Sequence, residues 1–271
     1  MVRLRAARYA KVETEVFFME LLQVENIKKV YNTKLGMHPC AALRGMSFSI
    51  SEGEFVAIMG PSGSGKTTLL NILASLDRPT EGAVRLDGVD YADIGERDLC
   101  AFRRKHLGFV FQDFNLLDTF SLRDNILLPL VLSRTPVAEM ERRIAPIVRE
   151  LGIADLIDKF PYEVSGGEKQ RAAAARAIIT EPRLVLADEP TGALDTRASQ
   201  RLLELFSGFN RLGKTILLVT HSAIAASYAS RVLFIRDGRI FSQLYRGEEN
   251  NRAFFDRIVN TLTVLGGADI G

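Results

Sequence analysis

Three short stretches of the chain carry residue types whose spacing suits phosphate chemistry. Gly60-Pro61-Ser62-Gly63-Ser64-Gly65-Lys66-Thr67, with Thr68 next, fits the pattern G-x-x-x-x-G-K-[ST]. Glycines let the backbone turn through conformations that a side chain forbids, so successive N–H groups converge on an anion at the positive end of a helix. Lys66 supplies a mobile positive charge for β- and γ-phosphates, and Thr67 offers a hydroxyl to Mg²⁺. The second stretch ends in Asp188-Glu189 after the apolar run Leu184-Val-Leu-Ala187. Adjacent acids there can divide the labour: Asp188 holds the metal through water, and Glu189 orients and deprotonates the attacking water as a general base. The third, Ser165-Gly166-Gly167-Glu168, opens the helix-forming run Ala172–Ile179. Small residues at a helix start aim a hydroxyl, free N–H groups and the positive end of the dipole at an anion. The loop at Gly60 already cradles one set of phosphates, so Ser165–Gly167 reads as a second phosphate site.

These stretches need a scaffold, and the hydrophobic pattern supplies one. Glu54–Met59 is a short β-prone run ending in glycine, and Thr67–Leu76 has helical apolar spacing, so a strand feeds the loop and the loop feeds a helix. Arg183–Ala187 and Thr215–Val219 are unbroken apolar runs of strand length, as suits a parallel sheet covered on both faces. Asp87-Gly88 and Asp237-Gly238 lie between β-prone segments and predict tight hairpins beside an α/β core. Residues from about 98 to 180 are mostly helical in pattern, punctuated by Pro129, Pro136, Pro146 and Pro161, and predict a separate helical lobe. After Gly247, the residues Phe254, Phe255, Ile258, Val259 and Leu262 fall on one helical face, which predicts a C-terminal helix docked by that face.

Composition narrows the class. With 271 residues, 47% hydrophobic and 25% charged, the chain can bury a full core and a smaller lobe. A net charge of +2 gives no electrostatic ground for a nucleic-acid partner. Cys40 and Cys100 form no C-x-x-C pair, which argues against a disulfide framework or a zinc site and suits a reducing compartment. The nearest approach to a membrane span, Asn125–Leu132, is interrupted by Pro129 and falls well short of the roughly 18 to 20 apolar residues a crossing needs. The expectation is a soluble chain. Residues 1–18 carry Arg3, Arg5, Arg8 and Lys11 without the apolar core of a signal peptide, and read as an extension ahead of a domain that starts naturally at Met19.

Ser165-Gly-Gly-Glu-Lys-Gln-Arg171 resembles the signature motif of ABC ATPases, which caps the γ-phosphate of ATP held by the opposite subunit. The resemblance covers residues 19–271 and implies a P-loop NTPase fold: a RecA-like α/β core with an antiparallel β subdomain and an inserted helical lobe. It implies a nucleotide-binding domain over 19–247, a helical tail over 248–271, ATP and Mg²⁺ as cofactors, and a homodimer. By the same likeness Tyr31 stacks on adenine, and Gln112 is the Q-loop residue linking the Mg²⁺ and water site to the helical lobe. Asp195 is the D-loop aspartate, and His221 is the switch histidine that contacts the γ-phosphate. Two positions depart from the pattern: Glu168 stands for the more frequent glutamine, and Ser222 for a frequent acid.

Gly108–Asp118, Ala187–Asp195, Ala225–Tyr228 and the tail from Phe254 are similar to the ATPases of bacitracin-type antimicrobial-peptide resistance transporters, a group near the macrolide-export and lipoprotein-release ATPases. That likeness implies a bacterial membrane permease with an extracellular domain as partner, a sensor histidine kinase reached through it, and a place on the cytoplasmic face of the membrane. Chromosome-organising ATPases share the motifs but need a long coiled coil between Lys66 and Ser165, and translation factors of the class carry every motif twice. An ATPase of a lipoprotein-release, macrolide-export or mechanosignalling complex uses the same residues and is the alternative.

Overall fold

The computed structural model describes residues 20–31 and 39–267; the extension expected over 1–18, Met19 and the last residues of the tail lie outside them. Ten strands are present in these residues: β1 (Glu20–Tyr31), β2 (Cys40–Ser51), β3 (Phe55–Met59), β4 (Glu81–Leu86), β5 (Val89–Asp90), β6 (Leu107–Phe111), β7 (Leu184–Asp188), β8 (Thr215–Val219), β9 (Arg231–Arg236) and β10 (Arg239–Tyr245). The helices are α1 (Lys66–Leu73), α2 (Leu99–His106), α3 (Leu122–Leu132), α4 (Val137–Glu150), α5 (Gly166–Ile178), α6 (Thr196–Arg211), α7 (Ala223–Ala226) and α8 (Asn251–Gly267).

The core is a six-stranded sheet of order β10-β9-β3-β8-β7-β6, parallel except for β10. Every residue of β3 and β8 is buried, as strands covered on both faces must be. Alternate residues serve opposite cores, because successive side chains of a strand point to opposite faces. Phe55, Ala57 and Met59 join the core shared with α3, α5, α6 and α8, whereas Val56 and Ile58 join Leu69, Ile72 and Leu73 of α1. That second core is closed by Leu22, Val24, Met46, Ile50 and Val84 of an antiparallel sheet ordered β2-β1-β4-β5. Helix α1 therefore lies between two sheets, and its first residue is Lys66.

Both expected hairpins form. Asp87 and Gly88 have φ of 53° and 76°, Asp237 and Gly238 of 49° and 72°, the doubly left-handed turn that matches strand twist. The segment from 98 to 180 needs correction, because Leu107–Phe111 is not helical but forms β6 and pairs in parallel with β7. Helix α5 sits on that strand so closely that a Cβ at Gly108 would fall 2.2 Å from the Ala177 carbonyl oxygen. The all-helical stretch thus runs from α3 to α5. The face of α8 also differs: Phe254, Ile258 and Leu265 are buried and Leu262 is partly so, while Phe255 lies at the margin and Val259 is exposed.

Candidate functional site

Sheet register brings the chemical residues together. Val219 of β8 pairs with both Asp188 of β7 and Ile58 of β3, and Phe111 of β6 also pairs with Asp188. Gln112, Glu189, Thr220 and the Gly60 loop therefore all leave the sheet at the same, carboxyl end, where ligands of open parallel sheets bind.

The loop from Gly60 to Thr67 is shaped by glycines where no other residue fits. A Cβ on Gly60 would fall 2.1 Å from the Ile235 carbonyl oxygen, and one on Gly65, whose φ is +101°, 2.6 Å from that of Ala42. Gly65 caps α1, whose first turn contains no acid to oppose an incoming anion. The Ser64 hydroxyl is buried without a hydrogen-bond partner. Lys66 Nζ donates to the carbonyls of Gly60 at 2.8 Å and Pro61 at 2.9 Å, so the loop holds its own cation at its mouth. Partial burial lowers the Lys66 pKa, and the charges of Glu189 and Asp188 oppose that shift. Thr67 is exposed in the first helical turn and Thr68 is half-buried.

Asp188 ends β7 with its pKa raised, first by burial and then by the charge of Glu189, with Lys66 pulling the other way. Glu189 has a φ of 43°, a left-handed backbone that costs free energy in a residue with a side chain, and its N–H is fixed to the Val219 carbonyl at 2.8 Å. Both oxygens of its carboxylate are engaged. The buried Thr220 hydroxyl donates to Oε2 at 3.0 Å, and His221 Nδ1 lies 2.8 Å from Oε1. His221 itself is 75% exposed, so this pairing leaves most of its ring turned to solvent. Lys66, Asp188, Glu189 and His221 are thus one cluster. Gln112 lies beside it: its side chain rests on Gly192, where a Cβ would come within 2.9 Å of the amide carbon.

Ser165, Gly166, Gly167 and Glu168 stand apart from that cluster. Ser165 is the N-cap of α5, and Glu168 reaches back so that Oε2 accepts from the Ser165 N–H at 2.7 Å and from its hydroxyl at 2.8 Å. Those two donations hold the Glu168 carboxyl below its ordinary pKa. The glycines let this end approach α6: a Cβ on Gly167 would lie 3.0 Å from Ala198 Cβ, and one on Gly166 3.8 Å from Leu194. Asp195 caps α6 by accepting from the Ala198 N–H at 2.8 Å, so the expected D-loop residue adjoins the helix start rather than the lysine. Tyr31 is not brought to the cluster either. Its hydroxyl donates to Asp77 at 2.9 Å, beyond the far end of α1, and Lys29 Nζ lies 5.1 Å from its ring.

Three residues with no role assigned from sequence help to build the site. Thr220 orients Glu189 through its hydroxyl. Gln170, wholly buried on α5, donates to the carbonyls of Phe111 at 3.0 Å and Pro190 at 2.7 Å. Arg176 donates to the carbonyls of Phe114 and Asn115, two residues held at φ of 61° and 49°. A polar or charged residue on a helix otherwise rich in alanine was the signal for both.

A glycine loop between strand and helix, with acids at the end of the next strand but one in the same sheet and a helical insertion, defines a P-loop NTPase. Residues 43–192 match the ABC transporter family. The chain is 48% identical over 250 residues to the bacitracin export ATP-binding protein BceA of Halalkalibacterium halodurans, spanning 92% of this chain and 98% of that one. It is 44% identical to the macrolide export ATP-binding/permease protein MacB of Syntrophobacter fumaroxidans, over 82% of this chain and 31% of that longer one. Among solved structures, the ATP-binding cassette MJ0796 in a dimeric post-hydrolysis state with ADP and Pi superposes with a TM-score of 0.75 at 36% identity, covering 83% and 98% of the two chains. The chain belongs to the ABC transporter family and is an ATP-binding, ATP-hydrolysing subunit.

Proposed function

We propose that the protein acts as a homodimer in which each ATP lies between the Gly60 loop of one copy and the Ser165 helix start of the other. The observation that carries this reading is the separation of two anion-receiving ends on one chain: Lys66 sits with Asp188 and Glu189, whereas Ser165 adjoins Asp195 and α6. The dimeric form of MJ0796 supports it. Arriving phosphates take Lys66 Nζ from the Gly60 and Pro61 carbonyls, and the N–H groups of Ser62, Gly63, Ser64, Gly65, Thr67 and Thr68 complete the cradle.

The Asp188 carboxylate, Thr67 hydroxyl and Gln112 amide oxygen are hard oxygen donors of the kind that suits Mg²⁺, and they would hold the ion. When bound, the ion neutralises charge on the phosphates. Glu189, held by Thr220, accepts a proton as water attacks the γ-phosphorus; the bond to the bridging oxygen breaks and leaves ADP and phosphate. His221 donates to the γ-phosphate oxygens, and Ser165, Gly166, Gly167, Glu168 and Asp195 of the opposite copy close the site.

The work is done on a separate membrane permease with an extracellular domain, and the cargo is a bacitracin-like peptide antibiotic; the near full-length likeness to BceA supports this. The likeness to an export ATP-binding protein supports a peripheral place on the cytoplasmic face of the membrane; no described helix is long and apolar enough to cross one. A cleft of about 430 Å³ between β6 and α3, lined by Cys100, Phe109, Leu128, Leu132 and Arg176 near Gln112, receives the permease. A sensor histidine kinase is reached through that permease. The test is peptide susceptibility of cells carrying the native permease with wild-type protein or Glu189→Gln at equal abundance. Selective sensitisation to bacitracin-type peptides is expected; unchanged susceptibility removes peptide resistance and leaves the ATPase.

A further inference from the structure

Gln170 is bonded to backbone carbonyls beside the Lys66 cluster and not to the side chains of the cluster itself. It is fully buried, five residues into the helix that Ser165 caps. Both of its hydrogen-bond partners are carbonyls, so only the NH₂ end of the amide can face them, and its orientation is fixed by chemistry. The other end, Oε1, is buried without a partner.

The two carbonyls are informative because of their neighbours along the chain. Phe111 is the residue before Gln112, and Pro190 is the residue after Glu189. One amide thus pins the backbone beside both residues to α5. Arg176 adds a second tie from the same helix to the carbonyls of Phe114 and Asn115. Helix α5 otherwise meets β6 through backbone and small side chains, since Gly108 lies under Ala177 and Ala172, Ala173, Ala174 and Ala175 are all buried. The Gln170 bonds would convert a shift of this helix into a shift at Glu189.

We infer that Gln170 is a positioning residue that reports the state of the Ser165 helix to Glu189 and Gln112 of the same subunit, and so links the two ATP sites of the dimer. The link rests on the proposed shared site, in which the start of α5 meets the γ-phosphate held by the opposite copy. ATP at one site draws that helix inward; Gln170 carries the displacement some one and a half turns along α5 to the catalytic glutamate that serves the other ATP.

Gln170→Met keeps the volume and removes both donors. The purified full chain is compared with this variant, with Ile178→Val as a mild packing change on the same helix, and with Ser165→Arg, which blocks the helix start. ATP hydrolysis is measured against ATP concentration, and ATP binding to the monomer separately. For Gln170→Met the expected result is unchanged binding, a maximal rate lower by roughly ten- to a hundredfold from misplacement of the base, and a Hill coefficient that falls to about 1, the value of uncoupled sites. Ile178→Val should remain cooperative. A Gln170→Met enzyme as cooperative and fast as wild type overturns the inference, as does an equal loss of cooperativity in Ile178→Val or a non-cooperative wild type. If Ser165→Arg leaves hydrolysis intact, the shared-site reading falls first, and the link with it.

Discussion

The two ends of this chain proposed to receive phosphate are built on opposite plans. Around Lys66 the groups hold one another: the ammonium rests on loop carbonyls, Thr220 and His221 hold Glu189, and burial shifts both the Lys66 and Asp188 pKa values. Around Ser165 the groups satisfy themselves locally, through a capping box that closes within four residues at the protein surface. One end is anchored at the edge of a parallel sheet and stores strain at Glu189. The other is the tip of a helix packed on small residues. A preorganised half and a self-capped half are what a composite site requires. The first must hold geometry for chemistry, and the second must stay stable and soluble while its partner is away.

If the Lys66 end is preorganised, damage to its loop should be the most severe change. Gly65→Ala places a Cβ 2.6 Å from the Ala42 carbonyl oxygen at a φ of +101°, and the backbone must move to relieve it. Strain of this kind costs about 1–3 kcal/mol, and the relief displaces the N–H groups proposed to receive phosphate. ATP binding, read by calorimetry, should fall by well over about tenfold, and the melting temperature should drop as well. Retained binding with an unchanged melting temperature would mean that the loop is not held as tightly as the cluster suggests.

Thr220→Val tests the same end with a smaller perturbation. It removes the hydroxyl bonded to Glu189 Oε2, which also accepts from the Ser222 N–H, and keeps the shape. A hydrogen bond to a charged group contributes about 1.5–3 kcal/mol. If most of that orients Glu189 for reaction, the maximal rate falls by roughly ten- to a hundredfold with ATP binding preserved. An effect confined to affinity would assign Thr220 to the ligand rather than to the base.

Much of the Lys66 end was legible in the sequence because it depends on backbone conformations that only certain residues adopt. Gly65 at positive φ and the Asp-Gly turns announce themselves by residue type, and the buried runs of β3, β7 and β8 announce a covered sheet. Strand β6 was not legible. Its five residues follow a basic helix with no break between them, and only pairing with β7 decides their state. Gln170 was only half-legible for a related reason: its residue type stands out on an alanine-rich helix, but its partners do not. A glutamine on a helix is ordinary until tertiary packing buries it against two carbonyls, one at the end of β6 and one in the loop after β7. The tail shows how an approximate period errs: a helical face was expected through Phe255 and Val259, but α8 turns Phe254, Ile258 and Leu265 to the core and leaves Val259 outside.

The smallest expected effect separates the two ends most directly. At the Ser165 end, the donors that would meet a γ-phosphate already serve a carboxylate of the same chain: Glu168 Oε2 takes both the Ser165 N–H and its hydroxyl. That carboxylate stays ionised easily, because those same bonds hold its pKa down. An arriving phosphate therefore competes with a resident anion and feels its charge. Glu168→Gln keeps the cap through the amide oxygen, removes the charge and adds a donor. The Michaelis constant for ATP should fall by roughly two- to fivefold with little change in maximal rate, the scale of a single hydrogen bond of about 1 kcal/mol at an exposed position. The same substitution should leave ATP binding by the isolated monomer unaltered, since the Lys66 cluster alone receives it there. A change in monomer binding would place Glu168 within reach of its own subunit's nucleotide and dissolve the distinction between the two ends.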